Sequence, residues 1–271
     1  MFFSSRTPSP SAGISPTPTS TTRSKSLLTK LAAIAAALVV WQIAAMLISQ
    51  SLLLVSPVTV FIRLTKLVVT VDFWGAVAFS VLRIVSGFII ALIIGTVLAV
   101  IAGRFRLVEI ILWPYMAAVK ATPVASFVIL CLIWLGSRGL SVFISFLMVL
   151  PIIYASVLAG IRSTDPKLIE MADLFCISWR RRLYYIYIPH LKTYLISASS
   201  VAIGLSWKAG VAAEVIGIPS GSIGERLYEA KVYLNSADLF AWTAVIILIS
   251  VLFEKLFTVA LKLCYAKMEK I

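Results

Sequence analysis

Residues 165–190 read DPKLIEMADLFCISWRRRLYYIYIPH, a charged island set between long apolar stretches. Asp165 is a helix-capping residue and Pro166 suits the first helical position, where its missing N–H is not needed and its φ is already helical. Leu168, Ala172 and Phe175, with Ile169 and Cys176 alongside, recur on one face at helical spacing, while Lys167, Glu170 and Asp173 project elsewhere. This spacing predicts a short amphipathic helix. Ser178 can cap a second one carrying Arg180, Arg181 and Arg182, and Pro189 disfavours helical continuation through Ile188. The island is expected to be a helix, a turn and a helix.

Around the island the chain is oily. Its 271 residues are 61% hydrophobic and 13% charged, with a mean hydropathy of +1.04, which excludes a soluble domain and indicates an all-α, polytopic membrane protein. Apolar stretches at 27–47, 76–102, 110–135, 140–160, 194–214 and 240–261 predict about six transmembrane helices. Residues 27–47 are long enough to span and no clear processing site follows, so they are read as the first span rather than a signal peptide. Residues 1–26, rich in Ser, Thr and Pro with no acids, are expected to form a disordered cytoplasmic tail. Residues 27–75 then hold the first span and an external interfacial helix opening at Pro57, with Val60, Leu64, Leu67 and Val71 on one face. Residues 76–261 form the membrane core, interrupted by a loop at 162–192, and 262–271 a cytoplasmic end. Cys131, Cys176 and Cys264 are odd in number, lack metal-ligand spacing and are expected as free thiols.

Charge orients these spans. Arg6, Arg23, Lys25, Lys30, Arg104, Arg106, the basic residues of the island, and Lys255, Lys262, Lys267 and Lys270 fall on one side. Only Arg63, Lys66, Arg138, Arg226 and Lys231 fall on the other. The positive-inside rule puts both termini and the island in the cytoplasm. The net charge of +13 is therefore a topology signal and no indication of nucleic-acid binding.

The island resembles the cytoplasmic loop of binding-protein-dependent ABC importer permeases, whose pattern is E-A-A, a Gly four residues later, and I-x-L-P ten residues after that Gly. Here Glu170, Met171 and Ala172 are followed by Cys176 and then by Ile186 and Pro189, with the spacing kept throughout. Met171 replaces an Ala, Ile188 a Leu and Cys176 the Gly. If the turn needs positive φ at Cys176, a side chain there costs roughly 1 kcal/mol or more. SVLRIVSGF at 80–88, LIWLG at 132–136 and AGIRSTDP at 159–166 sit where the branch importing sulfonates, taurine and nitrate carries similar strings. The resemblance implies a type I ABC importer permease fold in a bacterial plasma (inner) membrane. It implies a second permease copy, two cytoplasmic ATP-binding subunits and an extracytoplasmic solute-binding protein as partners. This chain would bind no cofactor, because ATP and its magnesium belong to the ATP-binding subunit. Glu170, Ala172 and the Arg180, Arg181, Arg182 cluster are the expected docking residues, and the same arginines also suit retention beside anionic lipid.

Within the spans, Gly87, Ala91, Gly95, Ala99 and Gly103 recur every four residues, a smooth strip for close helix approach, either within the chain or between two copies. Pro114, Pro123 and Pro151 predict kinks, with freed carbonyls either structural or lining a path. Ser197, Ser200, Gly204 and Lys208 form a polar face along the fifth span. On one reading this face lines the pathway and Lys208 attracts an anionic substrate; on the other Lys208 snorkels or pairs with Glu214 or another helix. Arg83 and Lys120 are read first as interfacial anchors. In the outer loop 218–238, Leu227, Ala230 and Leu234 share one side of a short helix, which is either a docking surface for a binding protein or a lid on the spans.

No catalytic or metal constellation is present in the sequence. There is no G-x-x-x-x-G-K-[ST] loop and no H-E-x-x-H, and the single His190 follows Pro189 as a solvated loop residue. The chain is expected to be no enzyme but the membrane path of an importer for a small solute, an anion such as a sulfonate or nitrate. The alternatives are an importer of a non-anionic solute such as a thiamine precursor, and a secondary transporter, which would call for inverted repeats and buried acids.

Overall fold

The computed structural model describes residues 20–48, 50 and 53–268, and every regular element among them is helical. In chain order these are α1 (Ser20–Ile48), α2 (Pro57–Val68), α3 (Val71–Arg104), α4 (Arg106–Ala121) and α5 (Val124–Arg162). They continue with α6 (Pro166–Leu174), α7 (Trp179–Arg182), a π-helical turn (Leu183–Tyr187), α8 (Ile188–Gly217), α9 (Ile223–Val232) and α10 (Ser236–Met268). Val71–Arg104, Val124–Arg162, Trp179–Gly217 and Ser236–Met268 are long and apolar enough to cross a membrane, and Ala32–Ile48 adds a shorter apolar stretch.

The core is the second half of α5 held between α3 and α8. Lipid offers no hydrophobic incentive for helices to associate, so close backbone approach and dispersion must do so. The every-fourth small strip serves that end inside the chain. A Cβ on Gly87 would stand 2.3 Å from the Val142 carbonyl, on Gly95 3.2 Å from Ile153, and on Gly103 3.0 Å from Ile161. Ala91 and Ala99 are fully buried. Of the two readings of the strip, the fold supports the intramolecular one. The α5–α8 seam uses small residues that the periodicity did not single out: a Cβ on Gly160 would meet Leu191 at 2.6 Å, and on Gly210 the Ser145 hydroxyl at 2.6 Å. α10 lies outside this trio, with the rings of Phe253 and Phe257 edge-on to Phe88 at 5.7 and 5.0 Å. α2 is capped by Ser56, which accepts from the Thr59 amide, and is tied to α10 by a two-pronged ion pair between Arg63 and Asp238. That hydrogen bond raises the Arg63 guanidinium above its ordinary range.

Several expectations are corrected. The third span, 110–135, is not one helix: α4 stops at Ala121 and α5 starts at Val124. Pro123 has no N–H to continue the ladder and pushes Thr122 to an extended ψ of 131°. The third and fourth spans are joined instead through Gly136, at φ 63° and ψ 173°, a bend open to glycine alone. Pro114 and Pro151 stay inside helices. The tail boundary also moves, because residues 20–26 already belong to α1, while 1–19 lie outside the described residues. At the other end α10 runs on to Met268, so most of 262–271 continues the last span, with 269–271 outside the described residues. Val71 belongs to α3 and is 85% exposed, leaving Val60, Leu64 and Leu67 as the packed face of α2. Cys131, Cys176 and Cys264 are free.

Candidate functional site

The island closes one end of the bundle. α6 begins where the Asp165 carboxylate accepts from the Lys167 amide at 2.9 Å, with Pro166 in the first turn. It ends in a Schellman turn: the Ile177 amide donates to the Ala172 carbonyl at 2.9 Å and the Cys176 amide to that of Asp173 at 3.0 Å. Cys176 occupies the left-handed position of this turn at φ 48°. The glycine-type shape is therefore kept with a side chain in place, at a cost of about 1 kcal/mol.

The turn is held from the far side by Arg182. Its guanidinium donates to the carbonyl of Ile177 at 2.7 Å and to that of Ala172 at 3.2 Å, and pairs with Asp173 at 2.5 Å. The expected cluster of three arginines thus divides into one internal clamp and two exposed cations, Arg180 and Arg181. The expected apolar face of α6 divides as well. Ala172 is fully buried, whereas Leu168, Met171, Leu174 and Phe175 are exposed, the last two to 83% and 74%. With Glu170 also exposed, α6 presents an apolar knob with a carboxylate at its edge.

Pro189 does not end a helix. From Trp179 the chain stays helical into α8, because the π turn lets the Ile188 amide reach back to the Leu183 carbonyl and takes up the misfit a proline creates just ahead of itself. Ile186 is half-buried in this turn, and Tyr187 is buried with its ring 5.5 Å from that of Trp179. Arg104 lies 5.3 Å from the Trp179 ring and Arg162 pairs with Glu109, so the 104–106 connection and the island share one end. His190 is exposed, 3.1 Å from the Ser163 hydroxyl.

Along α8, Ser197, Val201 and Lys208 are exposed and Gly204 half-exposed, one open strip running up the helix. Ser200 leaves the strip by donating to Glu254 on α10, an acid inside an expected span that received no role in the sequence reading. Lys208 does not meet Glu214, which is fully buried on another side. There Oε2 of Glu214 accepts from Ser80 at 2.6 Å and from the Gly224 amide at 3.3 Å, and Ser80 accepts from the Ile223 amide at 2.9 Å. A Cβ on Gly224 would stand 2.3 Å from that of Glu214. The N-terminus of α9 is thereby seated on α8 and α3, with Leu227 and Ala230 packed and Leu234 exposed in a left-handed turn at φ 52°. The closest sequence signal for this node was the acid itself, a single Glu in an apolar run, offered by the sequence only as a partner for Lys208. Arg83 is half-buried with its guanidinium 3.9 Å over the Phe79 ring, turned into the protein rather than out to an interface. No group of His, Cys, Asp and Glu that could hold a metal occurs among the described residues.

Residues 91–270 match the family described as binding-protein-dependent transport system inner membrane component. The chain belongs to that family. The match takes in α4 to α10, and with them the clamped turn of the island. The permease is 24% identical over 205 residues to SsuC of Bacillus subtilis (strain 168), named for aliphatic sulfonates transport, covering 74% of each chain. It is 26% identical over 182 residues to the taurine transport system permease protein TauC of Escherichia coli (strain K12), covering 67% of this chain and 66% of that one. It is 28% identical over 153 residues to the bicarbonate transport system permease protein CmpB of Synechococcus elongatus, covering 56% and 54%.

Proposed function

We propose that this permease is the membrane path of an ATP-driven importer working as a homodimer, with α6 docked into a separate cytoplasmic ATP-binding subunit. ATP and its magnesium belong to that subunit, and the permease itself binds no cofactor. The observation that carries the reading is the island: a nine-residue helix with a clamped C-terminus, an exposed apolar knob and an adjacent carboxylate, on the rigid ends of α5 and α8. A rigid helix of this kind transmits displacement, because its own turn does not yield before the spans it joins. The basic residues around it orient the island, α10's end and the N-terminus to the cytoplasm of a bacterial inner membrane. α9 and α2 then face outward, where an extracytoplasmic binding protein delivers the solute.

The solute is a small anion such as a sulfonate, nitrate or bicarbonate. The transport named for the relatives supports this, as does the exposed strip of α8 carrying Lys208. The experiment is mass spectrometry of what copurifies with the tagged protein from its own cell, beside Glu170→Arg. An ATP-binding subunit retained by the wild type and depleted with the variant is the expected result. A folded dimer without an ATP-binding subunit in either preparation would refute the importer reading in favour of a secondary transporter.

A further inference from the structure

A second charged feature lies between α4 and the latter half of α5, which run antiparallel and leave a cleft of about 450 Å³. At its inner end Arg162 pairs with Glu109, and Arg106 approaches the same carboxylate at 3.4 Å. Glu109 is the one acid in the lining and is already engaged by two arginines. Lys120, exposed in the last turn of α4, lines the same cleft three turns further along that helix, about 16 Å from Glu109 along its axis. A lysine facing acyl chains is unfavourable, whereas one lining a cleft stands beside water or a counter-charge. Tyr154, 5% exposed, lies in the lining beside Glu109 and Arg162, with its hydroxyl lacking a hydrogen-bond partner in the structure. An unpaired buried hydroxyl is an open donor. The cleft therefore combines net positive charge, a buried, unpartnered hydroxyl in its wall and a volume suited to a small molecule.

We propose that this cleft is an oxyanion-binding vestibule in the inner half of the translocation path, with Lys120 selecting for negative charge and Tyr154 donating to an anion oxygen. This rests on the importer reading and adds a station separate from the Lys208 strip. A free oxyanion and a lipid phosphate share this chemistry. Lys120 stands about 16 Å along α4 from the end where Arg106 and Arg162 would gather a phosphate headgroup, which favours the free anion.

The test places Ala155→Cys, in the cleft wall, in a chain whose native cysteines are replaced (Cys131→Ala, Cys176→Ser, Cys264→Ser). The purified protein in neutral-lipid vesicles is treated with the anionic sulfonatoethyl methanethiosulfonate and with its trimethylammonium counterpart. Relative to a free thiol, the anionic reagent is expected to react about tenfold faster than the cationic one. Lys120→Met should abolish that preference, Lys120→Arg should preserve it, and methanesulfonate should slow the anionic reagent. Equal rates with Lys120 present, or no reaction with either reagent, would overturn the proposal. Protection by added phosphatidylglycerol but not by methanesulfonate would overturn it in favour of a lipid site. No ATP-binding partner takes part in the labelling, so its outcome is independent of the copurification result.

Discussion

Replacing Arg182 by Met removes the clamp of the island while keeping the side chain's stem. Two hydrogen bonds from a charged donor to backbone carbonyls are lost, each about 1.5 kcal/mol at the lower end of the range for charged groups. The lower end applies because the Ala172 carbonyl keeps its bond from Ile177. The ion pair adds little, since Asp173 is 63% exposed and screened. The total is about 2–3 kcal/mol of local stability, or roughly 30- to 150-fold in the opening of the turn. Hydrogen exchange read by mass spectrometry on peptides covering 171–179 should therefore accelerate by that factor, with the last turns of α5 unchanged. Arg182→Lys, which lacks the planar fork, should fall between the two. Arg180→Met and Arg181→Met, both exposed, should stay within twofold of wild type. Protection unchanged in Arg182→Met, or lost equally in all three arginine variants, would refute the clamp.

Three further outcomes are expected. Cys176→Gly should tighten the same turn by about 1 kcal/mol, slowing exchange of the Ile177 amide about fivefold, while Cys176→Val should speed it; faster exchange in the glycine variant would mean Cys176 is not left-handed. Gly136→Ala should lower the thermal midpoint of the detergent-solubilised protein through about 1–3 kcal/mol of backbone strain, whereas Gly139→Ala should not. Neither site would crowd a Cβ and only Gly136 has positive φ, so equal behaviour would remove the bend from its account. Glu214→Leu should strand Ser80 and the Gly224 amide at about 1–3 kcal/mol and expose α9 to trypsin at Arg226 and Lys231. Glu214→Gln, which keeps an acceptor, should resemble wild type; equal sensitivity of the two would show that the carboxyl oxygen does not seat α9.

The sequence alone determined the all-α membrane class, α6 and its cap, the every-fourth small strip and the spacing of the island. Each of these is a local property: composition, a 3.6-residue period, or a capping residue beside a proline. Tertiary structure alone decided that, of the three prolines expected to interrupt the spans, Pro123 separates two helices while Pro114 and Pro151 stay inside theirs, and that Gly136 bends the chain. A proline marks a missing hydrogen bond, but whether the helix kinks there depends on what the neighbouring helices and an upstream π turn can absorb. Tertiary structure also separated Arg182 from Arg180 and Arg181, three like residues in one run, because only one of them lies over the carbonyls of the preceding turn. Glu214 and Lys120 show the same limit. Each is a single charge in an apolar stretch, and its partners, Ser80 and the α9 amides or the walls of a cleft, come from elements distant in sequence that only packing brings together.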